Sequence, residues 1–172
     1  MFACALLILS VLALLVLLVL GKGYWFAQKK HPPSGSELQP IDVEAFRNLI
    51  DEKEEAYLRE HLSAASFRRV HRERMLAAIE YVKAAYGNAG ILVKIAEAAR
   101  ESSDPEVATA AGKLFDNAVQ LRWDAVQVIP RLCLKVLLPG TSQAPRNLFD
   151  HYDMVTSQAL VLGRVASSRK NA

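Results

Sequence analysis

The residues best suited to proton transfer or metal binding lie together near the C-terminus, in the run Asp150-His151-Tyr152-Asp153. A histidine beside carboxylates can move protons at neutral pH or bind a metal ion. Metal sites inside helical bundles usually place a glutamate three residues before a histidine, and no histidine after residue 41 has one. We therefore expect no metal and no other cofactor. An enzymatic site, the weakest functional alternative, would have to combine His151 with Asp153, Asp116 or Asp124.

The densest positive charge lies between residues 68 and 74 and forms a candidate interaction patch. Its members are Arg68, Arg69, Arg72 and Arg74. Arginines near a membrane attract anionic headgroups, and they also bind acidic proteins. Nucleic acid is a less suitable partner, because no aromatic residues alternate with these arginines and acidic residues nearly balance basic ones after residue 41.

An internal role explains the same arginines more simply. An acidic stretch precedes them, and the apolar phase of the helical pattern is lost at residues 63–66. A turn there would fold the two stretches into a hairpin, with Glu60 near Arg69 and Glu55 near Arg74. Exposed ion pairs contribute only about 0.2–1 kcal/mol each, so they would set the pairing of the helices more than their stability.

Four aromatic residues beyond the N-terminal region are candidates for the lining of a ligand pocket. They are Tyr81, Tyr86, Trp123 and Tyr152. Aromatic side chains that carry one polar atom are typical of such pockets. A helical sensor or ligand-binding bundle is therefore the second functional alternative.

Residues 2–20 form an apolar run whose only polar member is Ser10. As a helix this run would be about 28 Å long, close to the roughly 30 Å hydrocarbon core of a bilayer. A cleaved secretory peptide is disfavoured, because no basic residue precedes the run and no small-x-small site follows it. We predict a transmembrane anchor over residues 1–26. The expected membrane-interface residues are Lys22, Tyr24, Trp25, Phe26, Lys29 and Lys30.

The basic residues that flank the apolar run all follow it, which favours a single-pass protein with a cytoplasmic C-terminal domain. Residues 27–41 contain prolines, a glycine and serines and are predicted to be a linker. Residues 42–172 are long enough for one helical bundle domain. Cys4 lies in the apolar run and Cys133 in a helical pattern, so we expect no disulfide.

Apolar residues recur with helical spacing almost everywhere after residue 41. The first helix is predicted over residues 42–62, with Asp42 as its N-cap. Gly87 and Gly90 interrupt the next pattern, and each weakens a helix by about 1 kcal/mol relative to alanine. We expect either a break there or a neighbouring helix that packs very close. The residues of this pattern are Met75, Ile79, Val82, Tyr86, Ala89, Val93 and Ala96.

The strongest helical pattern starts at Asp104-Pro105-Glu106, which combines a cap, a first-turn proline and an acidic residue at the positive end of the helix dipole. Alanines at every seventh position of its first apolar line favour a close neighbour. A second apolar line predicts that the helix packs against two partners. The first apolar line is Val107, Ala111, Leu114, Ala118, Leu121, Ala125, Val128 and Leu132; the second is Phe115, Val119, Val126, Ile129, Cys133 and Leu137.

Pro130 lies inside this pattern, and Arg131 and Lys135 follow it among apolar residues. We predict a kinked core helix over residues 125–138, because proline cannot donate a backbone hydrogen bond to Val126. The alternative is an interfacial helix whose cations meet lipid headgroups.

The last helix is predicted to begin near Pro145. Its apolar line is Leu148, Tyr152, Val155, Ala159, Leu162 and Ala166. Together these patterns predict an all-α protein: a single N-terminal transmembrane helix followed by a mostly antiparallel bundle of about four helices.

The function that these features favour is a membrane-anchored interaction or scaffold module without catalysis. Its expected partners are the lipid bilayer and either a second copy of this chain or another membrane or peripheral protein. The expected contact surfaces are the candidate interaction patch and the alanine side of the first apolar line.

Overall fold

The computed structural model describes residues 38–138 and 147–170, with side chains up to residue 164 in the last helix. These residues form helices and no strand, which confirms the all-α prediction for this part of the chain. None of the helices described is long and apolar enough to cross a bilayer, and the predicted anchor and membrane-interface residues lie outside the described ranges. The helices are α1 (Val43–Leu49), α2 (Glu52–His61), α3 (Ala64–Arg100), α4 (Pro105–Leu137) and α5 (Asn147–Lys170).

The long helices α3 and α4 lie side by side in opposite directions. The start of α3 meets the end of α4, where His71 bonds to the backbone of Lys135, and their middles meet at Tyr86 and Arg122. The predicted antiparallel packing is confirmed for this pair. A short connection, residues 101–104, makes the antiparallel course the direct one.

Helix α5 packs along α4, again antiparallel. Asn117 of α4 bonds to Gln158, and Asp124, two turns later, bonds to the earlier residue His151. The predicted helix start near Pro145 lies outside the described residues. Of the predicted apolar line of α5, Ala159 is half-buried and the side chain of Ala166 is not described; the buried members are Leu148, Tyr152, Val155 and Leu162.

Every residue of the first apolar line is buried. The cross-helix contacts set a register that places Ala96 level with Ala111 and Ala89 level with Ala118, and all four alanines are fully buried. Small residues that face small residues allow two helices to pack closely. The alanine side of this line is therefore covered by α3, and its prediction as an external contact surface is wrong.

The predicted single helix over residues 42–62 is wrong, because α1 and α2 are separate. Asp42 caps α1 as predicted, but the carboxylate of Asp51 accepts the backbone N–H of Lys53 and starts a second helix. Phe46 of α1 is fully buried, whereas Tyr57 of α2, expected on the same apolar side, is 59% exposed. A local cap overrides a weak apolar pattern here.

The turn predicted at residues 63–66 is confirmed at its first residue. Helix α2 ends at His61, and the hydroxyl of Ser63 caps α3 by accepting the backbone N–H of Ser66. The loss of apolar phase in the sequence therefore located this boundary without any glycine or proline to mark it.

Both expected explanations for the glycines of α3 are wrong. Helix α3 runs unbroken through Gly87 and Gly90, and a Cβ atom added at either position would meet nothing within 4 Å. None of the described helices lies close enough to require a glycine at either position. The two glycines are therefore weak points of the helix rather than packing devices.

Helix α4 begins as predicted and continues through Pro130 to Leu137. Its end requires an extra donor, because Pro139 has no N–H that could bond to the carbonyl of Lys135. The Nε2 of His71, only 2% exposed as a residue, lies 2.9 Å from that carbonyl oxygen. Since a carbonyl only accepts, Nε2 carries the proton, and the buried histidine satisfies the carbonyl that proline leaves unpaired.

One buried amide joins three parts of the bundle. Asn88 is 2% exposed; its Oδ1 accepts the backbone N–H of Gln39 at 2.9 Å, and its Nδ2 donates to the Gln39 carbonyl and to the Tyr152 hydroxyl, each at 2.7 Å. Leu38 and Ile41 pack, half-buried, against the core. The end of the predicted linker is therefore held on the bundle.

Candidate functional site

The structure divides the candidate interaction patch. Arg68, Arg69 and Arg72 are exposed near the start of α3, and Arg69 pairs with Glu73 of the same helix at 3.2 Å. Arg74 faces inward, with only 13% of its side chain exposed. Three of the four predicted arginines are thus available to a partner.

Arg74 holds α1 and α2 on α3. Its guanidinium donates to the carbonyl of Asn48 at 2.6 Å and to that of Leu49 at 3.4 Å, which caps the end of α1. The two terminal nitrogens also meet both carboxylate oxygens of Glu54 at 3.1 Å. The predicted hairpin pairing is therefore real but displaced by one residue, since the predicted partner was Glu55.

Glu55 lies instead between an arginine and the buried histidine. Its Oε1 is 2.8 Å from Arg59 and 3.9 Å from the Nδ1 of His71. Arg59 also lies over the ring of Phe67, 5.2 Å from its centroid. The predicted contact of Glu60 with Arg69 is not among the ion pairs of the described residues, because Arg69 bonds within its own helix.

Two of the four predicted pocket aromatics belong to one packed cluster. The ring centroid of Phe46 lies 4.0 Å from that of Phe149 and 6.3 Å from that of Tyr81. The ring centroid of Phe149 lies 6.0 Å from that of Tyr152. Phe46 and Phe149 are fully buried. These aromatic side chains form a core that joins α1, α3 and α5.

The other two aromatics lie elsewhere. The Tyr86 ring faces the guanidinium of Arg122, which is 4.5 Å from the ring centroid and donates to the hydroxyl at 2.6 Å. Trp123 is 60% exposed. The structure thus splits the predicted pocket residues between two regions, and the ligand-binding alternative stays a prediction.

Two of the predicted acid–base residues come together across α4 and α5. His151 Nδ1 lies 2.9 Å from Asp124 Oδ2, while Asp124 Oδ1 accepts from Gln120 at 2.9 Å. Such a carboxylate orients an imidazole for proton transfer, and the same contact also fixes α5 on α4. Asp153 and Asp116 are exposed. Within the described ranges, no group of three or more His, Cys, Asp or Glu is arranged to hold a metal ion.

Burial raises two pKa values. The pKa of the Tyr152 hydroxyl is raised by desolvation, which the hydrogen bond from Asn88 partly opposes. The pKa of the Cys133 thiol is raised by desolvation as well, and the nearby ammonium of Lys83 lowers it in part. Cys133 is therefore a protonated thiol at neutral pH. The influence of Lys83 on Cys133 also indicates that this residue of α3 lies beside the second apolar line of α4.

The second apolar line is only partly covered. Helix α4 has the two predicted partners, α3 and α5, but they bury the first apolar line and leave Val119 and Leu137 of the second exposed. Further exposed apolar residues continue along the same side of α4. We call the combined set the outer stripe: Val119, Trp123, Leu134, Leu137 and Leu138.

Cations flank the outer stripe at the end where its leucines lie. Arg131 is exposed on α4 itself. The contact of His71 with Lys135 places the start of α3, with exposed Arg68 and Arg72, beside this end of α4. The surface thus combines large apolar side chains with positive charge.

Sequence reasoning missed three members of this surface: Trp123, Leu134 and Leu138. They lie four residues after Val119, Pro130 and Leu134, respectively, so continuing the helical spacing would have found them. No protein-family model, no curated protein and no solved structure matches this chain.

Proposed function

We propose that this protein is a membrane-tethered helical module that acts by surface contact along α4 rather than by bond chemistry. The observation that carries the proposal is the outer stripe. Its members are large apolar residues that α3 and α5 leave exposed, including Trp123 and, at 75% exposure, Leu137. Large apolar residues exposed along one side of a helix are typical of interaction sites.

The tether is the apolar run at residues 2–20, with the membrane-interface residues that follow it. Its length matches a bilayer core, and its flanking lysines favour a cytoplasmic position for the bundle. A tether of this kind concentrates the bundle near a membrane, so that weak surface contacts become effective.

The bundle itself supplies a rigid platform. Buried polar side chains in the described part of the chain all have hydrogen-bond partners. Asn88, His71 and Arg74 each bond to backbone atoms of another segment and hold it in place. A surface on long, mutually packed helices keeps its shape when a partner binds.

Photo-crosslinking in native membranes tests the proposal. A photoreactive amino acid at Trp123 or Leu137 should form adducts with a protein or a lipid. The same amino acid at Tyr57 of α2 or Leu160 of α5, which are similarly exposed, is the control and should form few. Equal adduct yields at all four positions would show that the outer stripe is not the contact surface.

The tether is tested separately. After alkaline carbonate extraction, the full-length protein should remain in the membrane pellet, since a spanning helix resists extraction. Its appearance in the supernatant would contradict the tether, whatever the crosslinking result.

A further inference from the structure

We propose that the partner of the outer stripe is the surface of an anionic bilayer, on which the α3–α4 pair lies flat. This inference rests on the proposed function, because the tether is what holds the surface near lipid. Trp123 and the leucines would enter the boundary between headgroups and acyl chains, while the neighbouring cations meet the headgroups.

The shape of the outer stripe fits this partner. From Val119 to Leu137 it extends about 27 Å along α4 at 1.5 Å per residue, and it is one helix wide. A long and narrow apolar stripe is typical of helices that lie in the membrane interface. Tryptophan is enriched at that depth, because its ring is apolar and its N–H still reaches water.

The charge beside the stripe fits as well. Arg131 extends from α4, and Arg68 and Arg72 from the adjoining start of α3. Lys83 lies near Cys133, and its ammonium group forms an ion pair with Glu80 at 2.7 Å. Asp116 is exposed near the opposite end of the stripe, three residues before Val119. Positive charge concentrated around exposed leucines favours anionic over zwitterionic lipid.

The chain between the tether and the bundle is long enough for this arrangement. From Leu20 to Leu38 it can extend to about 60 Å. Asn88 fixes the place where this chain joins the bundle by holding both backbone groups of Gln39. Helix α4 is about 50 Å long at 1.5 Å per residue, which is shorter than the reach of this chain.

Tryptophan fluorescence gives a direct test, because the chain has two tryptophans, Trp25 and Trp123. In full-length Trp25→Phe protein, Trp123 is the only tryptophan that emits. The protein is reconstituted into phosphatidylcholine vesicles with or without phosphatidylglycerol, and brominated acyl chains serve as quenchers. We expect blue-shifted emission and at least about twofold quenching in the anionic vesicles, with much weaker quenching in phosphatidylcholine alone.

Charge variants locate the effect. Arg72→Gln and Arg131→Gln, each in the Trp25→Phe protein, should reduce the quenching in anionic vesicles. Lys53→Gln removes one charge from the exposed surface of α2 and is the matched control, which should leave the quenching unchanged. Equal effects of all three variants would overturn the assignment of this surface.

Three outcomes separate the possible failures. Water-like, unquenched Trp123 emission from protein that floats with the vesicles overturns bilayer docking and leaves the tether intact. Protein that does not float with the vesicles contradicts the proposed function itself. In the third outcome, brominated lipid does not quench Trp123, but Trp123 is shielded from acrylamide, and this shielding increases with the density of protein in the vesicles. That result would show that a second copy covers the stripe, which also overturns the inference.

Discussion

Both apolar surfaces of α4 are hydrophobic, but one is buried and the other is exposed. The first apolar line is wholly buried, while the outer stripe of the same helix is exposed. Leu121 of the first line and Trp123 of the outer stripe are only two residues apart. The first line has strict heptad spacing with alanine at every seventh position, and α3 has alanines, Ala96 and Ala89, level with two of them. The outer stripe has only bulky members. Shape matching, more than hydrophobicity, decides which surface forms the core.

The largest expected difference comes from truncating one residue of each surface. Leu121→Ala should reduce the free energy of unfolding by about 2–5 kcal/mol, because it opens a cavity between packed helices. Trp123→Ala should change it by no more than about 0.5 kcal/mol, because its side chain is mostly in water. Urea unfolding of the full-length protein in mild detergent, followed by far-UV circular dichroism, measures both. Comparable losses would contradict the contrast between the two surfaces.

Adding volume sharpens the same comparison at neighbouring positions. Ala118→Leu should lower the free energy of unfolding by about 1–3 kcal/mol, because α3 leaves no room at a fully buried alanine. Val119→Leu adds an exposed methylene and should be nearly neutral. The same unfolding assay applies. A stable Ala118→Leu variant would mean that the helices are not closely packed at this level.

The buried hydrogen bonds of Asn88 should contribute more to the free energy of unfolding than the half-buried hydrogen bond of Asn117. Asn88→Ala removes the bonds to Gln39 and Tyr152 and should cost about 1–3 kcal/mol of stability. It should also accelerate hydrogen exchange at the Gln39 amide. Asn117→Ala, which breaks a half-buried bond to Gln158, is the control and should cost less. Unchanged exchange at Gln39 would show that Asn88 does not hold this segment.

The same buried contact predicts a pH effect. Well below pH 10.0, the ordinary pKa of tyrosine, Tyr152 is protonated in both the folded and the unfolded chain. Because burial raises its pKa in the folded state, the unfolded chain loses this proton first as the pH rises, and stability falls. The native protein should therefore lose stability more steeply above pH 10 than Tyr152→Phe. Parallel alkaline curves of unfolding free energy for the two proteins would refute the effect of burial.

The smallest expected effect is a gain. Gly87→Ala and Gly90→Ala should each stabilise the protein by about 0.5–1 kcal/mol, because each added methyl group meets no neighbour and favours the helix. Ala85→Gly, at a fully buried position of the same helix, should destabilise it. Thermal unfolding reports all three. Destabilisation by Gly90→Ala would indicate a close neighbour on this side of α3.

Much of the bundle was predictable from local signals. Asp104 and Pro105 marked the start of α4, and the heptad spacing identified every buried residue of its first line, because such patterns depend only on neighbours along one helix. The break at residues 50–51 was missed, because the capping carboxylate of Asp51 lies among other acidic residues that show no such role in the sequence.

The candidate site was less predictable. The sequence indicated that arginines, aromatics and His151 were available for function, but not which of them the fold would use internally. Arg74 differs little from Arg72 in sequence, yet it is held by α1 and α2 while Arg72 is exposed. The contact of Asp124 with His151 and that of Asn88 with Gln39 join residues far apart in the chain, which no local pattern can pair.

The sequence by itself determined that the described part of the chain after residue 41 is mostly helical. It also determined the starts of the main helices α3 and α4, and which line of α4 is suited to a core. Covalent chemistry and helical periodicity are enough for these features, because they act between residues close in the chain. Only the tertiary structure decided that α3 and α5 cover one side of α4 and leave the outer stripe exposed. Burial is shared between helices, and a surface remains open when no other part of the fold matches its shape.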